Sequence, residues 1–310
     1  MEKLYMTAAF FYGEGKRKRK ISPFIYETMT EEEVEKAVQL KTETQQQLSI
    51  FDFKPVEPQV PTQKLSLKNF SFSQLESYKT CPLQYKYQYL LKIPTPANAA
   101  ASFGDTIHRT LQQFYLDYMA DASLGLDHSL FLYKKLWSPL GYTSKEYEDK
   151  MKKEGEEMLK KFFVTFHPPS ESILSLEKLF KVKMADDVFV TGKIDRVDKN
   201  MDTGELEIID YKTGRLPDEK ELQKSLQLSL YAFAAHSPSL YNQPLNKVKL
   251  TFYYLQDMKK ISITRTEEDI VKVKEDVTTM VEEIRGSSFT PKVGVWCSYC
   301  PFKMICEAWR

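Results

Sequence analysis

The sequence predicts an α/β fold in which helices flank a mixed β-sheet. Apolar residues recur at helical spacing after residue 70, alternate with a period of two between residues 173 and 214, and return to helical spacing before residue 285. Helices and strands that follow one another in this way bury their apolar faces against each other in layers. We find no internal repeat.

Helices are predicted for the first part of this domain. One covers about residues 71–90, because a serine at its start can cap it and Leu and Tyr recur at helical spacing. Pro82 should kink or restart this helix. A second helix is predicted after Gly104, and a third, rich in glutamate and lysine, over residues 145–163.

Strands are predicted beyond Pro168, where the period changes to two. Three of them form a meander, and Asn, Asp and Gly mark the turn between the second and the third. Their sequences are ILSLEKLFKVKM, DVFVTGKIDRVD and ELEIIDYKTG. A helix over residues 219–235, two strands in VKLTFYYLQ and KKISITRT, and a helix over residues 267–285 complete the predicted sheet and its cover.

The N-terminal part of the chain is predicted to be separate from this domain. Residues 1–40 contain five consecutive basic residues, Lys16 to Lys20, which favour a solvated loop, with a phosphate-contacting patch as the alternative. Residues 41–67 are polar and contain QQQ and three prolines, so we expect a linker. The remaining domain is residues 68–310.

Composition limits the class of protein. At 310 residues and 42% hydrophobic residues, the chain can bury a core of substantial size. It contains neither a basic-then-apolar leader nor an apolar run near the roughly 20 residues that cross a bilayer, so we expect a cytoplasmic protein without a membrane partner. The net charge of +1 leaves nucleic acid open as a partner, because a local basic groove is sufficient.

The four cysteines indicate a metal site. Cys81 stands alone, whereas Cys297, Cys300 and Cys306 form C-x2-C-x5-C within WCSYCPFKMIC. Three thiolates within ten residues cannot all pair with one distant cysteine, but four converging thiolates can bind an iron–sulfur cluster or a zinc ion. Ligand type does not separate these two alternatives.

Asp195, Asp210 and Lys212 are candidate catalytic residues. Asp210 and Lys212 share one face of a strand, and the hairpin can bring Asp195 beside them. Paired carboxylates suit Mg²⁺ or Mn²⁺, and the ammonium can position the attacking water and offset charge on a phosphate. A surface salt bridge is the alternative, but Asp210 follows Ile208 and Ile209, and a carboxylate on a buried strand is costly without a partner.

Three further residues carry weaker signals. His108 lies on the predicted second helix, where a packed or capping histidine is the alternative to a ligand. Gln227 and Tyr231 are four apart on a predicted helix and therefore share a face. Such a pair beside a metal site can contact a nucleotide, although core packing explains Tyr231 equally well.

Together these motifs resemble a known family. Cys81, GDTIH, GKIDR, IIDYKTG, Gln227 with Tyr231, and C-x2-C-x5-C, in this order, resemble the iron–sulfur, AddB-type branch of the RecB-like PD-(D/E)XK nucleases over residues 68–310. The resemblance implies a restriction-endonuclease-like core. It also implies a 4Fe-4S cluster that joins the helix at residue 71 to the C-terminal tail.

The resemblance also assigns roles to the candidate residues. Asp195 and Asp210 would be Mg²⁺ or Mn²⁺ ligands, with His108 and the Tyr211 carbonyl as further ligands, and Lys212 would be the catalytic lysine. Gln227 and Tyr231 would form the QxxxY motif on the DNA side of the site. The four cysteines, Cys81, Cys297, Cys300 and Cys306, would hold the 4Fe-4S cluster, with zinc as the alternative. Asp210 stands where many relatives carry glutamate, and RecB-like members often have aspartate there.

A second resemblance concerns residues 1–40. The segment LYMTAAFFYGEGKRKRKISPFIYE is similar to the C-terminal end of a UvrD/RecB-type superfamily 1 helicase, and a chance match is the alternative. The chain contains no G-x-x-x-x-G-K-S/T loop, so it cannot bind ATP in the P-loop manner.

From these resemblances we expect a Mg²⁺- or Mn²⁺-dependent deoxyribonuclease, an exonuclease rather than an endonuclease. Its expected substrate is single-stranded DNA, and its expected role is repair or recombination beside a superfamily 1 helicase in cis or in trans. A CRISPR-adaptation exonuclease of the same fold and a catalytically silent DNA-binding scaffold are the main alternatives. A zinc-containing RNA-binding module is a third.

Overall fold

The computed structural model describes residues 22–39, 66–217 and 222–309. The chain divides into two compact units, residues 1–60 and residues 61–310. In the described part of the first unit, α1 spans Pro23–Tyr26 and α2 spans Glu31–Gln39.

Two predictions for the N-terminal part cannot be compared with the structure. The basic run from Lys16 to Lys20 and nearly all of the predicted linker, residues 41–67, lie outside the described residues. The division into residues 1–40, 41–67 and 68–310 therefore stays a prediction.

The second unit contains a six-stranded mixed sheet. Its strands are β1 (Asn69–Ser71), β2 (Ser172–Ala185), β3 (Val188–Lys199), β4 (Leu206–Lys212), β5 (Val248–Tyr254) and β6 (Lys259–Ile263). The order is β1-β3-β4-β5-β6, and β2 pairs with β3. The pairs β1–β3 and β4–β5 are parallel, whereas β2–β3, β3–β4 and β5–β6 are antiparallel. The predicted mixed sheet is confirmed.

Helices pack around this sheet. They are α3 (Phe72–Thr80), α4 (Pro82–Tyr85) with a π-helical turn (Lys86–Leu90), α5 (Ala99–Ala120), α6 (Leu126–Leu136), α7 (Lys145–Phe166), α8 (Leu226–His236) and α9 (Glu267–Arg285). One short 3₁₀ turn, Leu245–Lys247, lies between α8 and β5. Three more follow α9, at Val295–Ser298, Lys303–Ile305 and Glu307–Trp309. In the part of the chain that the structure describes, no helix is long and apolar enough to cross a membrane.

Helix starts follow from capping side chains. The Ser71 hydroxyl accepts a hydrogen bond from the Gln74 amide, and the Gln74 side chain accepts one from the Ser71 amide, so α3 begins with a capping box. Cys81 is extended and Pro82 starts α4, as the sequence predicted. Helix α5 begins before Gly104, because the Asn98 side chain caps the amides of Ala100 and Ala101.

Strand β4 lies between the two layers of the second unit. Leu206 and Ile208 pack into a core with α8 and α9, whereas Ile209 and Tyr211 pack into a second core with α5, α6 and α7. Alternate side chains of a strand point to opposite faces. The C-terminal end of β4, with Asp210, therefore lies inside the molecule.

Candidate active site

Asp210 is a buried carboxylate at the end of β4, and its side chain is 4% exposed. Its Oδ1 accepts hydrogen bonds from Gln227 Nε2 at 2.7 Å and from the Tyr231 hydroxyl at 3.0 Å. Its Oδ2 forms an ion pair with Lys212 Nζ at 2.6 Å. Both oxygens of this buried carboxylate therefore have partners.

The charge of Asp210 is unfavourable in this environment. Burial raises the pKa of Asp210, the ammonium of Lys212 lowers it, and the neighbouring charge of Asp195 raises it again; the net direction is upward. Two carboxylates that are close together disfavour each other's ionised form. A cation between them would remove that cost.

Asp195 lies beside Asp210 across the β3–β4 hairpin, where Arg196 pairs with Ile209. Its Oδ2 accepts a hydrogen bond from the Tyr211 amide at 2.9 Å and lies 3.2 Å from His108 Nδ1. Burial disfavours a charged imidazole, but the hydrogen bond and the charge of Asp195 outweigh burial and raise the pKa of His108. Helix α5 thus brings His108 to the strand that carries Asp195.

Glu177 joins this group, and the sequence analysis missed it. Among the described residues, the ligand atoms of His108, Glu177 and Asp195 lie within 4.8 Å of one another. Glu177 has a positive φ of 49° and lies on β2 between Leu176 and Lys178, which pair with Arg196 and Ile194. It therefore faces Asp195 across the β2–β3 hairpin. The only signal in the sequence was one acidic residue within an apolar strand.

These residues fit a divalent cation. Glu177, Asp195 and His108 converge as a set of hard oxygen and imidazole donors, and the buried Asp210 carboxylate lies near Asp195. Mg²⁺ and Mn²⁺ prefer carboxylate oxygens. A cation there would act as a Lewis acid towards a phosphoryl oxygen.

Lys212 is held at the rim of the site. Its side chain is 32% exposed, and its Nζ donates a hydrogen bond to Gln227 Oε1 at 2.8 Å. Gln227 Nε2 also donates to the Tyr231 hydroxyl at 2.9 Å. Helix α8 therefore places the Gln227 and Tyr231 pair, predicted from their spacing, against both Asp210 and Lys212.

A buried arginine supports the backbone beneath the site. Arg196 Nε donates to Asp198 Oδ1 at 2.6 Å, its Nη1 donates to the Tyr211 hydroxyl at 3.3 Å, and its guanidinium stacks 4.3 Å from the Tyr115 ring centre. The Tyr211 ring is thereby fixed, and so is the amide that binds Asp195. The expected role of the Tyr211 carbonyl as a ligand stays a prediction.

The four cysteines come together at a second place. Cys81, Cys297, Cys300 and Cys306 are free thiols that line one small cavity of about 20 Å³. Burial raises the pKa of Cys300, and the charges of the other three cysteines add to this effect. Backbone amides of Lys292 and Gly294 each donate to a sulfur, Cys81 Sγ and Cys297 Sγ, at 3.4 Å.

Comparison with known proteins places the chain in a family. The sequence model of the PD-(D/E)XK nuclease superfamily matches residues 69–307, which include the whole sheet, the Asp195–Asp210 pair and the four cysteines. The chain belongs to the PD-(D/E)XK nuclease superfamily. A member of this superfamily carries a nuclease domain, so the expected nuclease class is confirmed at that level.

Two solved structures are similar to this superfamily member. The crystal structure of SSO0001 is 17% identical with a TM-score of 0.30, and the match covers 74% of this chain and 95% of that one. A protein from Eubacterium rectale, named as a candidate exonuclease, is 13% identical with a TM-score of 0.42, and the match covers 75% of this chain and 87% of that one. No curated protein sequence matches the chain.

Proposed function

We propose that this chain is a metal-dependent deoxyribonuclease that hydrolyses phosphodiester bonds at the Asp195–Asp210–Lys212 site. The observation that carries the proposal is the convergence of His108, Glu177 and Asp195, whose ligand atoms lie within 4.8 Å of one another. Beside this group, the buried Asp210 carboxylate is paired with Lys212 and bound by Gln227 and Tyr231. Carboxylates that lie this close together disfavour each other's ionised form unless a cation joins them.

Each residue receives a role from its position. Asp195, Asp210, His108 and Glu177 would hold the Mg²⁺ or Mn²⁺ ion, with the Tyr211 carbonyl as a further ligand. Lys212 would position the attacking water and offset the charge that grows on the phosphate. The water oxygen bonds to phosphorus and releases one proton to solvent, the bond from phosphorus to one sugar oxygen breaks, and that oxygen takes up one proton from solvent.

Gln227 and Tyr231 would act on the DNA side of the site. They bind Asp210 and Lys212 at the same time, so they orient the carboxylate and the ammonium relative to each other. Residues that orient ligands in this way affect activity strongly even though they do not touch the reacting atoms.

The substrate and the biological setting are finer proposals. The resemblance to RecB-like nucleases supports single-stranded DNA and exonuclease action, and the helicase-like residues 1–40 support repair or recombination beside a superfamily 1 helicase. A CRISPR-adaptation exonuclease is less well supported, because a stand-alone enzyme would not need such a segment. A silent DNA-binding scaffold would normally have lost Asp195, Asp210 or Lys212.

We further propose that the four cysteines hold a 4Fe-4S cluster. The convergence of the four cysteines on one small cavity supports a bound metal, since four thiolates can hold either an iron–sulfur cluster or a zinc ion. The choice of the cluster over zinc rests on the resemblance to the iron–sulfur branch of the RecB-like nucleases.

The test is degradation of end-labelled single-stranded DNA with Mg²⁺ or Mn²⁺. We expect the wild type to release label and Asp195→Asn, Asp210→Asn and Lys212→Ala to be slower by at least about 100-fold. Asp186→Asn and Lys183→Ala are matched controls, because these residues form an exposed ion pair outside the site. A Lys212→Ala variant with wild-type activity would overturn the mechanism. A folded, metal-loaded wild type without activity would favour the scaffold.

A further inference from the structure

A second lysine lies at the candidate site and has no role in the proposed reaction. Lys193 on β3 directs its ammonium at Glu177 Oε2, with which it is in close contact. The Lys193 side chain is 55% exposed, whereas that of Glu177 is 10% exposed. The exposed ammonium can be solvated by water when it leaves the pair, whereas the nearly buried Glu177 carboxylate then needs another cation in its place.

Lys193 also borders a cavity next to the site. This cavity has a volume of about 210 Å³ and is lined by Lys193, Gln227 and Tyr231 together with Ser73, Thr191 and Phe180. The Tyr231 hydroxyl lies 3.0 Å from both the Lys193 carbonyl and Asp210 Oδ1, and its one proton is shared between these two acceptors. The backbone of Lys193 is thus fixed to the candidate site, while its ammonium stays at the surface.

Glu177 has two competing partners. Its carboxylate is paired with the Lys193 ammonium, and it is also one of the three groups whose ligand atoms converge with those of His108 and Asp195. A carboxylate that shares its charge with a divalent cation no longer needs the lysine for neutralisation. When Glu177 turns towards a cation, Lys193 therefore loses its partner at the border of the cavity.

We propose that Lys193 is a phosphate-contacting residue, held by Glu177 without a cation and released to the DNA backbone when Glu177 becomes a ligand. The inference rests on the proposed nuclease function and deepens it. The phosphate concerned belongs to a nucleotide adjacent to the scissile one, because the cavity shares Gln227 and Tyr231 with the site. The hydroxyl of Ser73, which also lines the cavity, offers a further donor to that phosphate.

The proposal is tested by the salt dependence of DNA binding, which counts phosphate contacts without requiring cleavage. Each phosphate contact to single-stranded DNA changes the slope of log affinity against log salt concentration by about 0.7. Binding of a labelled single-stranded oligonucleotide is measured in a Lys212→Ala background, with Mg²⁺ or with EDTA. The slope is negative, because affinity falls as the salt concentration rises. Adding Lys193→Met should reduce the magnitude of this slope by about 0.7 in Mg²⁺ and leave it unchanged in EDTA.

Glu177→Gln provides the complementary variant. Because this substitution frees Lys193 without a cation, it should increase the magnitude of the slope in EDTA by about 0.7. The Glu177→Gln, Lys193→Met double variant should return the slope to that of the parent. Lys183→Met is the matched control, since Lys183 pairs with the exposed Asp186 outside the cavity.

The outcomes separate this proposal from the proposed function. Equal slopes for Lys193→Met and its parent in Mg²⁺ would reduce Lys193 to a structural partner of Glu177 and overturn the inference, even if the wild type cleaves DNA. If Lys193→Met reduced the magnitude of the slope equally in Mg²⁺ and in EDTA, the proposed release of Lys193 by Glu177 would be overturned. Absence of DNA binding by the parent would overturn the inference, whereas the proposed function is overturned only if the wild type also fails to cleave the same oligonucleotide.

Discussion

At the scale of single residues, the candidate site depends on one tyrosine hydroxyl. Tyr231 is 5% exposed, and its one hydroxyl proton is shared between Asp210 and the Lys193 carbonyl. Burial raises the pKa of Tyr231 well above its ordinary value, so the hydroxyl remains protonated at neutral pH and can donate. It joins the middle of β3 to the end of β4 through the site.

Tyr231→Phe should therefore reduce both activity and stability. Loss of the hydroxyl removes one hydrogen bond from the buried Asp210 carboxylate, which costs about 1–3 kcal/mol in the free energy of unfolding. Asp210 would then be oriented by Gln227 and Lys212 alone, so we expect the cleavage rate to fall by about 10–100-fold. Urea unfolding and the DNA degradation assay measure the two effects.

Tyr241→Phe is the matched control. The Tyr241 hydroxyl is hydrogen-bonded to Ser175 Oγ at 2.7 Å and has no contact with the candidate site. Its loss should cost about 1 kcal/mol and leave the cleavage rate unchanged. Equal cleavage rates for the two tyrosine variants would show that Tyr231 contributes only to packing.

The sequence could predict those site residues that follow a local pattern. Asp210 and Lys212 lie two apart on one strand, and Gln227 and Tyr231 lie four apart on one helix, so each pair could be placed on a common face. Glu177 could not be found in this way. Its position depends on the pairing of β2 with β3 and on a positive φ, neither of which has a signature in its neighbours.

At the scale of secondary-structure elements, the strongly periodic segments were predicted well. The meander, β5, β6 and the helix over residues 267–285 occur as expected. Strand β1 was missed because it has only three residues and pairs with β3, more than 100 positions away. Helix α6 was not predicted. Helix α5 begins earlier than predicted, because the Asn98 side chain caps its first turn.

Helix α7 tests how tightly the helical layer packs on itself. Gly155 is in the middle of this helix, and a β-carbon there would overlap the hydroxyl and ring of the fully buried Tyr133 on α6. Overpacking costs typically about 1–3 kcal/mol, whereas alanine gains at most about 1 kcal/mol over glycine in a helix. Gly155→Ala should therefore lower the free energy of unfolding, as measured with urea by circular dichroism.

Gly104→Ala is the control within α5. A β-carbon at Gly104 would be 3.4 Å from Thr213 Oγ1, an ordinary van der Waals contact. With helix propensity as the main effect, this variant should be stabilised by up to about 1 kcal/mol. If both alanine variants were more stable than the wild type, the result would contradict the close packing of α6 against α7 at Gly155.

At the scale of the whole molecule, the C-terminal tail has little packing of its own. Beyond α9 it forms only short 3₁₀ turns, and Tyr299 and Met304 are 90% and 97% exposed. Phe302 is buried, and Tyr87 donates a hydrogen bond to the Ile305 carbonyl. Phe289, earlier in the tail, is also buried and stacks on Tyr85 of α4, so metal–thiolate bonds to Cys81 would add to this packing in keeping the tail on α3 and α4.

The proposed cluster therefore predicts a link between metal content and the stability of the domain. Cys306→Ser removes one ligand, so we expect the bound iron to be lost and the midpoint of thermal unfolding to fall by at least about 5 °C, which corresponds to about 2 kcal/mol for a domain of this size. Metal analysis, visible absorbance and a thermal melt of anaerobically purified protein measure these effects.

Met304→Ala is the control for the cysteine variant, because Met304 lies between Cys300 and Cys306 and is 97% exposed. It should retain both iron and midpoint. If the wild type contained zinc instead of iron, the cysteines would hold a zinc ion instead of the cluster, and the link between metal content and stability would still hold. A Cys306→Ser protein with the wild-type midpoint would show that the tail is held by Phe302 and its hydrogen bonds, and that the cysteines do not stabilise the fold.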